Sequence, residues 1–333
     1  MKCAVLIDWL TFTVKDMSDP DQVIAWYLGM DADLFKDEPF GLMGYDKVKS
    51  FNGIMVCFAP RENEYFKGMG VCVSMSGEGC RTFETMSKLQ LDDQREKGSA
   101  SYAFPALFQL LHVGENCNVS RVDLACDDRF GFLNLSTIVD AVNDNAINSR
   151  IQKRTVMTSF NGRQSTGTSV YLGSESSDFR IRIYDKAKEQ GDFESHWVRV
   201  ELVMRGKHAN SFVNSFVNSA AVGELAAGIL KDKVSFIELD DSNISRCTPC
   251  HWWVDFVGSV EAVQLVASEL SKHSLDEIVD WVTYQLGPSL ALLYQAKGYL
   301  QIKEIIDAGM KRMSRKHEAI LSDYRGMCSL DNC

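Results

Sequence analysis

Three short segments of the chain contain residues that could perform chemistry: Arg121–Asp128, Thr168–Glu189 and Trp197–Arg205. Their alternation of apolar and polar residues predicts that each is mainly β-strand, in which every second side chain lies on the same face. One face of each strand is then apolar. The other face carries Arg121, Asp123, Asp127, Arg180, Arg182, Tyr184, Lys186, Arg199, Glu201 and Arg205. If the strands share a sheet, these carboxylates, basic groups and tyrosine suit a metal-assisted attack by the tyrosine on a phosphodiester.

The length and composition are those of a globular protein. The chain has 333 residues, 45% hydrophobic and 24% charged, which allows one large domain or two ordinary ones. Its apolar runs are far shorter than the roughly 20 residues that a membrane-spanning helix needs. Asp8 interrupts the apolar N-terminal run, which therefore predicts a strand rather than a signal peptide. Because the ten cysteines are scattered, we expect free thiols in a reducing cytoplasm.

The distribution of charge is more informative than its sum. A net charge of −10 argues against a protein that coats nucleic acid without specificity. However, residues 150–190 contain eight basic and four acidic residues, which gives this stretch a net charge of +4. A second basic cluster, at 311–316, could equally be an ordinary solvated surface. A basic region on an acidic protein fits a site that binds a limited length of nucleic acid.

The order of the predicted elements indicates an α+β fold. Strands dominate the first two thirds of the chain, with helices between them, and the last third is predicted to be mainly helical. This order predicts antiparallel sheets in two similar halves, with a polar catalytic face and helices on the other face. A polar run over 240–245 marks a boundary. We therefore expect a catalytic domain over 1–240 and a helical C-terminal region over 247–333.

Five motifs follow one another in an order that is typical of one protein family. They are Asp8–Thr13 (DWLTFT), Ser76–Arg81 (SGEGCR), Arg121–Asp127 (RVDLACD), the stretch Ser169–Glu189 with Arg182, Tyr184, Asp185 and Lys186, and Trp197–Glu201 with Val198 inserted after the tryptophan. Over roughly residues 1–205 the chain resembles the Rep_trans family of replication initiation factors, which includes rolling-circle initiators of plasmids and filamentous phages and related relaxases. The C-terminal third carries no motif of this family.

The resemblance implies an enzyme that nicks and rejoins DNA in a bacterial host. Tyr184 matches the family's nucleophile, so it would attack a phosphodiester at a replication origin and keep the 5′-phosphate as a phosphotyrosine. The released 3′-hydroxyl would prime leading-strand synthesis. A phenol has a pKa of about 10 and is a poor nucleophile at neutral pH, so it needs activation. We expect Lys186, Arg182 and Arg199 to assist it by stabilising negative charge.

The expected cofactor is Mg²⁺ or Mn²⁺, bound by carboxylates. Many rolling-circle initiators use two histidines that are two residues apart, and no two of the six histidines have this spacing. Oxygen ligands favour these metals. Asp123 and Glu201 are the first choices for ligands, and Asp127 and Asp8 are the second. Asp123 could instead form a salt bridge with Arg121 or Arg199.

DNA binding is expected to be divided between two regions. One region would bind the duplex origin, and the catalytic sheet would bind a single-stranded nick site. A host helicase and a second copy of the chain are further expected partners, and no membrane is involved. The candidate DNA-binding residues are Arg121, Arg180, Lys153, Arg154 and, in the C-terminal region, Lys311, Arg312, Arg315 and Lys316.

Other functions remain open at this stage. A relaxase of an integrative conjugative element would use the same chemistry and cannot be separated from a replication initiator by sequence. A DNA-binding regulator without catalysis is disfavoured because Tyr184, Asp123 and Glu201 are all present. A tyrosine recombinase is disfavoured because that class is mainly helical and uses no metal.

Overall fold

The computed structural model describes residues 3–62, 68–94, 103–113, 116–162, 164–218, 221–263 and 287–311. The chain divides into two compact units: Met1–Ser87 with Tyr102–Leu265, and Lys88–Ser101 with Val266–Cys333. Within the described residues, no helix is both long enough and apolar enough to cross a bilayer. The eight cysteines in this part of the chain are free thiols, as predicted.

The first unit is built on one antiparallel sheet of ten strands, in the order β2-β3-β4-β5-β1-β6-β11-β10-β9-β8. A separate two-stranded sheet pairs β7 with β12. The strands are β1 Ala4–Val14, β2 Lys36–Glu38, β3 Tyr45–Phe51, β4 Ile54–Pro60, β5 Val71–Met75, β6 Cys117–Asp128, β7 Ile147–Asn148, β8 Arg154–Asn161, β9 Gln164–Leu172, β10 Phe179–Asp185, β11 Val198–Arg205 and β12 Ser235–Phe236.

The large sheet consists of two similar halves. In the first half, β1 lies at the centre of the sheet, and β5, β4, β3 and β2 follow outward in reverse chain order. In the second half, β6 occupies the equivalent position and is followed by β11, β10, β9 and β8. The halves join where β1 pairs with β6. This arrangement confirms the predicted α+β fold with two similar halves, which form a single continuous sheet.

Helices cover the apolar face of this sheet. Aromatic residues four apart, such as Phe104 with Phe108 and Phe212 with Phe216, lie on one face of their helices and pack into the core beside Leu124. The rings of Phe108 and Phe216 are 5.1 Å apart. Among the described residues, the α-helices that lie wholly or mainly in the first unit are α1 Pro20–Val23, α2 Gly77–Gln94, α3 Ala103–Val113, α4 Leu135–Asn143, α5 Lys186–Glu189, α6 Lys207–Asn218, α7 Val222–Lys233 and α8 His251–Glu261. The second unit contains α9 Gly287–Met310.

The unit that contains the sheet extends beyond the predicted boundary at 240–247. Helix α8 packs against α7, and its side chains Trp253 and Phe256 are buried in the same core as the sheet. In addition, Ser259 accepts a hydrogen bond of 2.8 Å from the backbone N–H of Cys3. Burial of this apolar helix face therefore holds α8 in the first unit. In the second unit, α9 is interrupted at Gly298, where φ is 74°.

A close backbone contact fixes the start of α2, and we expect Gly79→Ala to destabilise the protein by about 1–3 kcal/mol. A Cβ atom at Gly79 would lie 2.2 Å from the backbone oxygen of Gly53, so the β3–β4 turn would have to move. Gly228 in α7 is the matched control, since a Cβ there meets nothing within 4 Å and alanine favours a helix by up to about 1 kcal/mol. Urea unfolding of both variants measures the difference. Equal stabilities would contradict the contact.

Candidate active site

The three sequence segments with reactive residues are direct neighbours in the sheet. Strand β11 lies between β6 and β10 and pairs with both. The register places Tyr184 opposite Arg199, and Arg199 opposite Asp127. Arg182 lies opposite Glu201. Because residues that face each other across neighbouring strands share a face, the polar side chains meet on one face, as the alternation predicted.

Tyr184 is buried and hydrogen-bonded to a carboxylate. Its ring is 5% exposed, and its hydroxyl donates to Glu201 Oε1. The other oxygen of Glu201, Oε2, accepts a hydrogen bond of 2.7 Å from Arg182 Nη1. Burial and the neighbouring negative charge of Glu201 together raise the pKa of Tyr184 above its ordinary value. The phenol therefore stays protonated until a base removes its proton.

Glu201 is the carboxylate that accepts the hydrogen bond from this phenol. The side chain is 2% exposed, and burial raises its pKa, while the Arg182 guanidinium opposes the rise. A carboxylate with a raised pKa accepts a proton more readily than an exposed one. The pair of Tyr184 and Glu201 thus combines a phenol with a proton acceptor at hydrogen-bond distance.

Arg199, which lies opposite Tyr184 on the neighbouring strand, binds two carboxylates. Its Nε and Nη2 atoms bind Asp127 Oδ1 and Oδ2 at 2.6 and 2.9 Å, and its Nη1 binds Asp8 Oδ1 at 2.9 Å. Although burial acts in the opposite direction, the hydrogen bond and the charge of Asp127 raise the pKa of Arg199. Arg199 is therefore a permanent cation that holds Asp8 and Asp127 in place.

A β-bulge in β1 places Trp9 on this face next to Asp8. The pairing with β6 shifts register between Ile7 and Trp9, so that Ile7 lies opposite Leu124 while Trp9 lies opposite Asp123. Without the extra residue, strict alternation would place Ile7 and Trp9 on the same face. The bulge sends Ile7 into the core and leaves Trp9 on the polar side, where the Arg121 guanidinium lies 4.2 Å from its ring. Alternation alone gives no sign of a bulge, so the sequence does not place Trp9 on the polar face.

Asp123 forms the salt bridge with Arg121 that the sequence left open. It is 3% exposed, and its Oδ1 accepts a hydrogen bond of 2.9 Å from Arg121 Nε. Burial raises the pKa of Asp123, and the bond to Arg121 acts against this rise. Asp123 is thus a buried carboxylate that binds the Arg121 guanidinium through both oxygens, at the end of the site away from Lys186.

The four predicted metal ligands do not form a metal-binding set as they are placed. Asp8 and Asp127 bind Arg199, Asp123 binds Arg121, and Glu201 binds Arg182. These guanidiniums occupy oxygen lone pairs that a cation would need. Among the described residues, no three His, Cys, Asp or Glu side chains are close enough together to hold a metal ion. The requirement for Mg²⁺ or Mn²⁺ stays a prediction.

Lys186 lies near Tyr184, but not on a strand. It is the first residue of the one-turn helix α5, because the Asp185 side chain accepts a hydrogen bond from the Lys188 backbone N–H and caps the turn. The Lys186 ammonium group pairs with Glu189 and lies 5.8 Å from the centre of the Tyr184 ring. The strand prediction was therefore wrong at Lys186, although the lysine still adds positive charge beside the tyrosine.

The predicted DNA-binding residues have different surroundings. Arg180 lies 4.3 Å from the centre of the Tyr171 ring, and Lys153 is exposed. Arg154 instead binds Asn145 and the backbone oxygen of Ile147, so it supports the sheet edge. Lys311 is exposed at the end of α9. Arg312, Arg315 and Lys316 lie outside the described residues.

A stacked pair that the sequence analysis did not single out lies at the tyrosine end of the site. The Arg129 guanidinium lies 3.7 Å from the centre of the Trp197 ring, and the Arg199 guanidinium is 5.6 Å from the same ring. Arg129 follows β6 directly, and Trp197 directly precedes β11. Arg129 is two residues after Asp127, so continued alternation would have placed it on the polar face, but the predicted strand ended at Asp128.

Comparison with known proteins explains this combination of fold and site. A family model described as "Replication initiation factor" matches residues 117–308, which is more than half of the chain. The chain belongs to this family. A second model, "Rolling Circle replication initiation protein N-terminal domain", matches residues 4–94. Both matches confirm the resemblance drawn from the motifs, and the first extends it well beyond residue 205.

Two relatives support this family membership over most of the chain. The protein "Putative DNA relaxase NicK" of Bacillus subtilis (strain 168) is 24% identical over 335 residues, which cover 96% of this chain and 89% of that protein. A solved structure of a rolling circle replication initiator protein from Geobacillus stearothermophilus is 26% identical, with a TM-score of 0.69, and the match covers 79% of this chain and 98% of that one. The fold of this family member therefore matches that of a rolling-circle initiator.

Proposed function

We propose that this replication initiation factor nicks one DNA strand and rejoins it through a 5′-phosphotyrosine on Tyr184. The observation that carries the proposal is the hydrogen bond from the Tyr184 hydroxyl to the buried carboxylate of Glu201, beside the guanidinium of Arg182. The family match and the relatives named as a DNA relaxase and a rolling-circle initiator support it. In such a protein the nick begins rolling-circle replication or strand transfer at an origin.

The proposed reaction needs a base, an attacking oxygen and a leaving oxygen. The Tyr184 oxygen forms a bond to phosphorus as its proton moves to Glu201, and the bond from phosphorus to the 3′-oxygen breaks. The 3′-oxygen leaves and takes up a proton from solvent, which gives a free 3′-hydroxyl. In rejoining, the 3′-hydroxyl attacks the phosphotyrosine and the phenol recovers its proton. Because one phosphodiester is exchanged for another, no external energy source is needed.

Positive charge near Tyr184 stabilises the transition state in this proposal. Arg182 retains 32% side-chain exposure, so it can contact a substrate phosphate while it binds Glu201. Arg199 is 6% exposed and saturated by two aspartates, so we assign it to positioning rather than to substrate contact. Lys186, which is paired with Glu189, adds a further positive charge near the ring. Preorganised cations of this kind lower the energy of developing negative charge.

The test is a cleavage assay on labelled single-stranded oligonucleotides from the genetic element that encodes the protein. We expect a covalent protein–DNA adduct on a denaturing gel and a free 3′-hydroxyl on the other product. Addition of Mg²⁺, Mn²⁺ or EDTA tests the predicted metal requirement in the same experiment. Absence of an adduct on every cognate strand, with binding retained, would favour the alternative of a non-catalytic regulator. A relaxase and an initiator share this chemistry, and the helicase and homodimer partners stay predictions.

The pH dependence of cleavage tests the role of Glu201. Glu201 must be unprotonated to accept the phenol proton, so activity is lost as the pH falls through its pKa. Arg182 lowers that pKa against the effect of burial. Arg182→Gln removes this charge, so we expect the acid limb of the pH–rate profile to move to higher pH. Arg180→Gln, on the same strand and not bonded to Glu201, should leave the limb in place. An unmoved limb in Arg182→Gln would argue against Glu201 as the base.

A further inference from the structure

The stacked pair of Arg129 and Trp197 lies next to the row of cross-strand neighbours Asp127, Arg199 and Tyr184. Asp127 faces Arg199, which faces Tyr184, and Arg129 lies two residues beyond Asp127. The Trp197 backbone oxygen accepts a hydrogen bond of 2.8 Å from the N–H of Lys186, two residues beyond Tyr184. The pair therefore lies in the next row along the same face, where a strand held at Tyr184 would continue.

Unlike Arg121, Arg182 and Arg199, Arg129 has no carboxylate partner within salt-bridge distance among the described residues. Arg121, Arg182 and Arg199 each bind a carboxylate, whereas Arg129 is exposed. Its positive charge contributes to the lowered pKa of the exposed Asp192, after the hydrogen bonds from Ser195 and Glu194, but the two side chains form no ion pair in this part of the chain. The hydrogen-bonding edge of Arg129 is therefore available to a ligand.

The turn that carries Arg129 is rigidly held. Asp128 is fully buried, and its carboxylate accepts hydrogen bonds from the backbone N–H groups of Phe130, Gly131 and Leu133 at 2.7–3.2 Å. Its Oδ2 is also 3.2 Å from His196 Nε2, directly before Trp197. Asp128 thus ties the turn after β6 to the chain before β11. A fixed turn reduces the entropy that Arg129 would lose on binding.

Trp197 contributes its ring face to this arrangement. Its indole N–H is buried and has no hydrogen-bond partner among the described residues, so no hydrogen bond of its own accounts for the position of the ring. The ring instead lies under Arg129 at 3.7 Å. Such a contact holds the guanidinium plane flat and keeps its N–H edge accessible.

We propose that Arg129, held on Trp197, binds the backbone phosphate next to the scissile phosphate of the single strand. This inference rests on the proposed function, because it assumes that the scissile phosphate lies at Tyr184. A guanidinium edge matches two phosphate oxygens, and a charged hydrogen bond of this kind is stronger than a neutral one. Arg129 would thereby set the position of the strand along the face, and Trp197 would be a positioning residue.

The test measures binding of oligonucleotides in which single phosphates are replaced by neutral methylphosphonates. It uses Tyr184→Phe protein so that cleavage does not interfere. We expect a neutral linkage beside the nick site to weaken binding about ten- to a hundredfold, and we expect Arg129→Gln to remove the sensitivity at that linkage only. Arg129→Gln should also reduce the slope of log affinity against log salt by about 0.7. Arg246→Gln, an exposed arginine paired with Asp241, is the matched control.

Two outcomes separate this inference from the proposed function. If each neutral linkage weakens DNA binding by Arg129→Gln as much as it weakens binding by the control Arg246→Gln, Arg129 contacts no phosphate and the inference is overturned. If wild-type protein forms no adduct, but Arg129→Gln still removes the sensitivity of binding to one neutral linkage, the phosphate contact stands and the nicking proposal fails. Trp197→Phe, which keeps a smaller ring, should reduce the sensitivity of binding to that linkage only in part. Full loss of the sensitivity, or no change in it, would contradict the positioning role of the indole.

Discussion

Tyr184→Phe is expected to abolish the covalent protein–DNA adduct and to lower strand cleavage by at least about 10³-fold. The substitution removes only the hydroxyl that donates to Glu201, and no covalent ester can form without it. The gel assay for the adduct measures this directly. Binding of the uncleaved strand should change much less, because the phosphate contacts that we propose for Arg182 and the neighbouring cations do not involve this hydroxyl.

The matched control is Tyr171→Phe. Tyr171 lies on the neighbouring strand opposite Arg182, and its ring lies under Arg180. We expect this variant to keep the adduct, because removal of its hydroxyl leaves the stacking ring in place. An adduct that persists in Tyr184→Phe and disappears in Tyr171→Phe would move the nucleophile to Tyr171. An adduct that persists in both variants would exclude both tyrosines.

Folding should survive the loss of the Tyr184 hydroxyl. Glu201 keeps its hydrogen bond of 2.7 Å to Arg182, so the carboxylate is not left without a partner. A single lost hydrogen bond typically costs about 1 kcal/mol. A thermal unfolding measurement on the same preparation therefore distinguishes loss of chemistry from loss of fold.

The sequence was sufficient to predict the polar face because alternation along a strand is a local property. Once β6, β11 and β10 pair in register, Asp127, Arg199 and Tyr184 must share a face. The same local rule failed wherever geometry departed from a regular strand. The bulge after Ile7 and the helical turn that begins at Lys186 depend on pairing and capping, which alternation does not reveal.

The partners of the carboxylates could not be predicted from sequence for a different reason. From its chemistry alone, the Asp123 carboxylate could equally bind Arg121, Arg199 or a metal ion. The structure pairs it with Arg121 and gives Arg199 to Asp127 and Asp8, a choice that depends on the strand order β1-β6-β11. Likewise, the end of the first unit at Leu265 depends on where α8 buries its apolar face, which a polar run at 240–245 cannot indicate.

Arg199→Met is expected to destabilise the protein by about 3–5 kcal/mol. The Arg199 side chain is 6% exposed and forms three hydrogen bonds to Asp127 and Asp8 at 2.6–2.9 Å. Removal of one member of a buried ion pair leaves the other charges in a poorly solvated site without compensation, and this cost exceeds the value of the pair itself. Urea unfolding at neutral pH measures the change in the free energy of unfolding.

Two further variants decide whether uncompensated charge is the cause. Arg199→Met combined with Asp127→Asn should recover a large part of the loss, because the buried negative charge is removed together with its partner. Arg246→Met, which breaks an exposed pair with Asp241, should cost no more than about 1 kcal/mol. If the double variant were as unstable as Arg199→Met alone, the loss would come from packing of the arginine stem. Arg199 would then be a packing residue, and the placement of Asp8 and Asp127 would not depend on its charge.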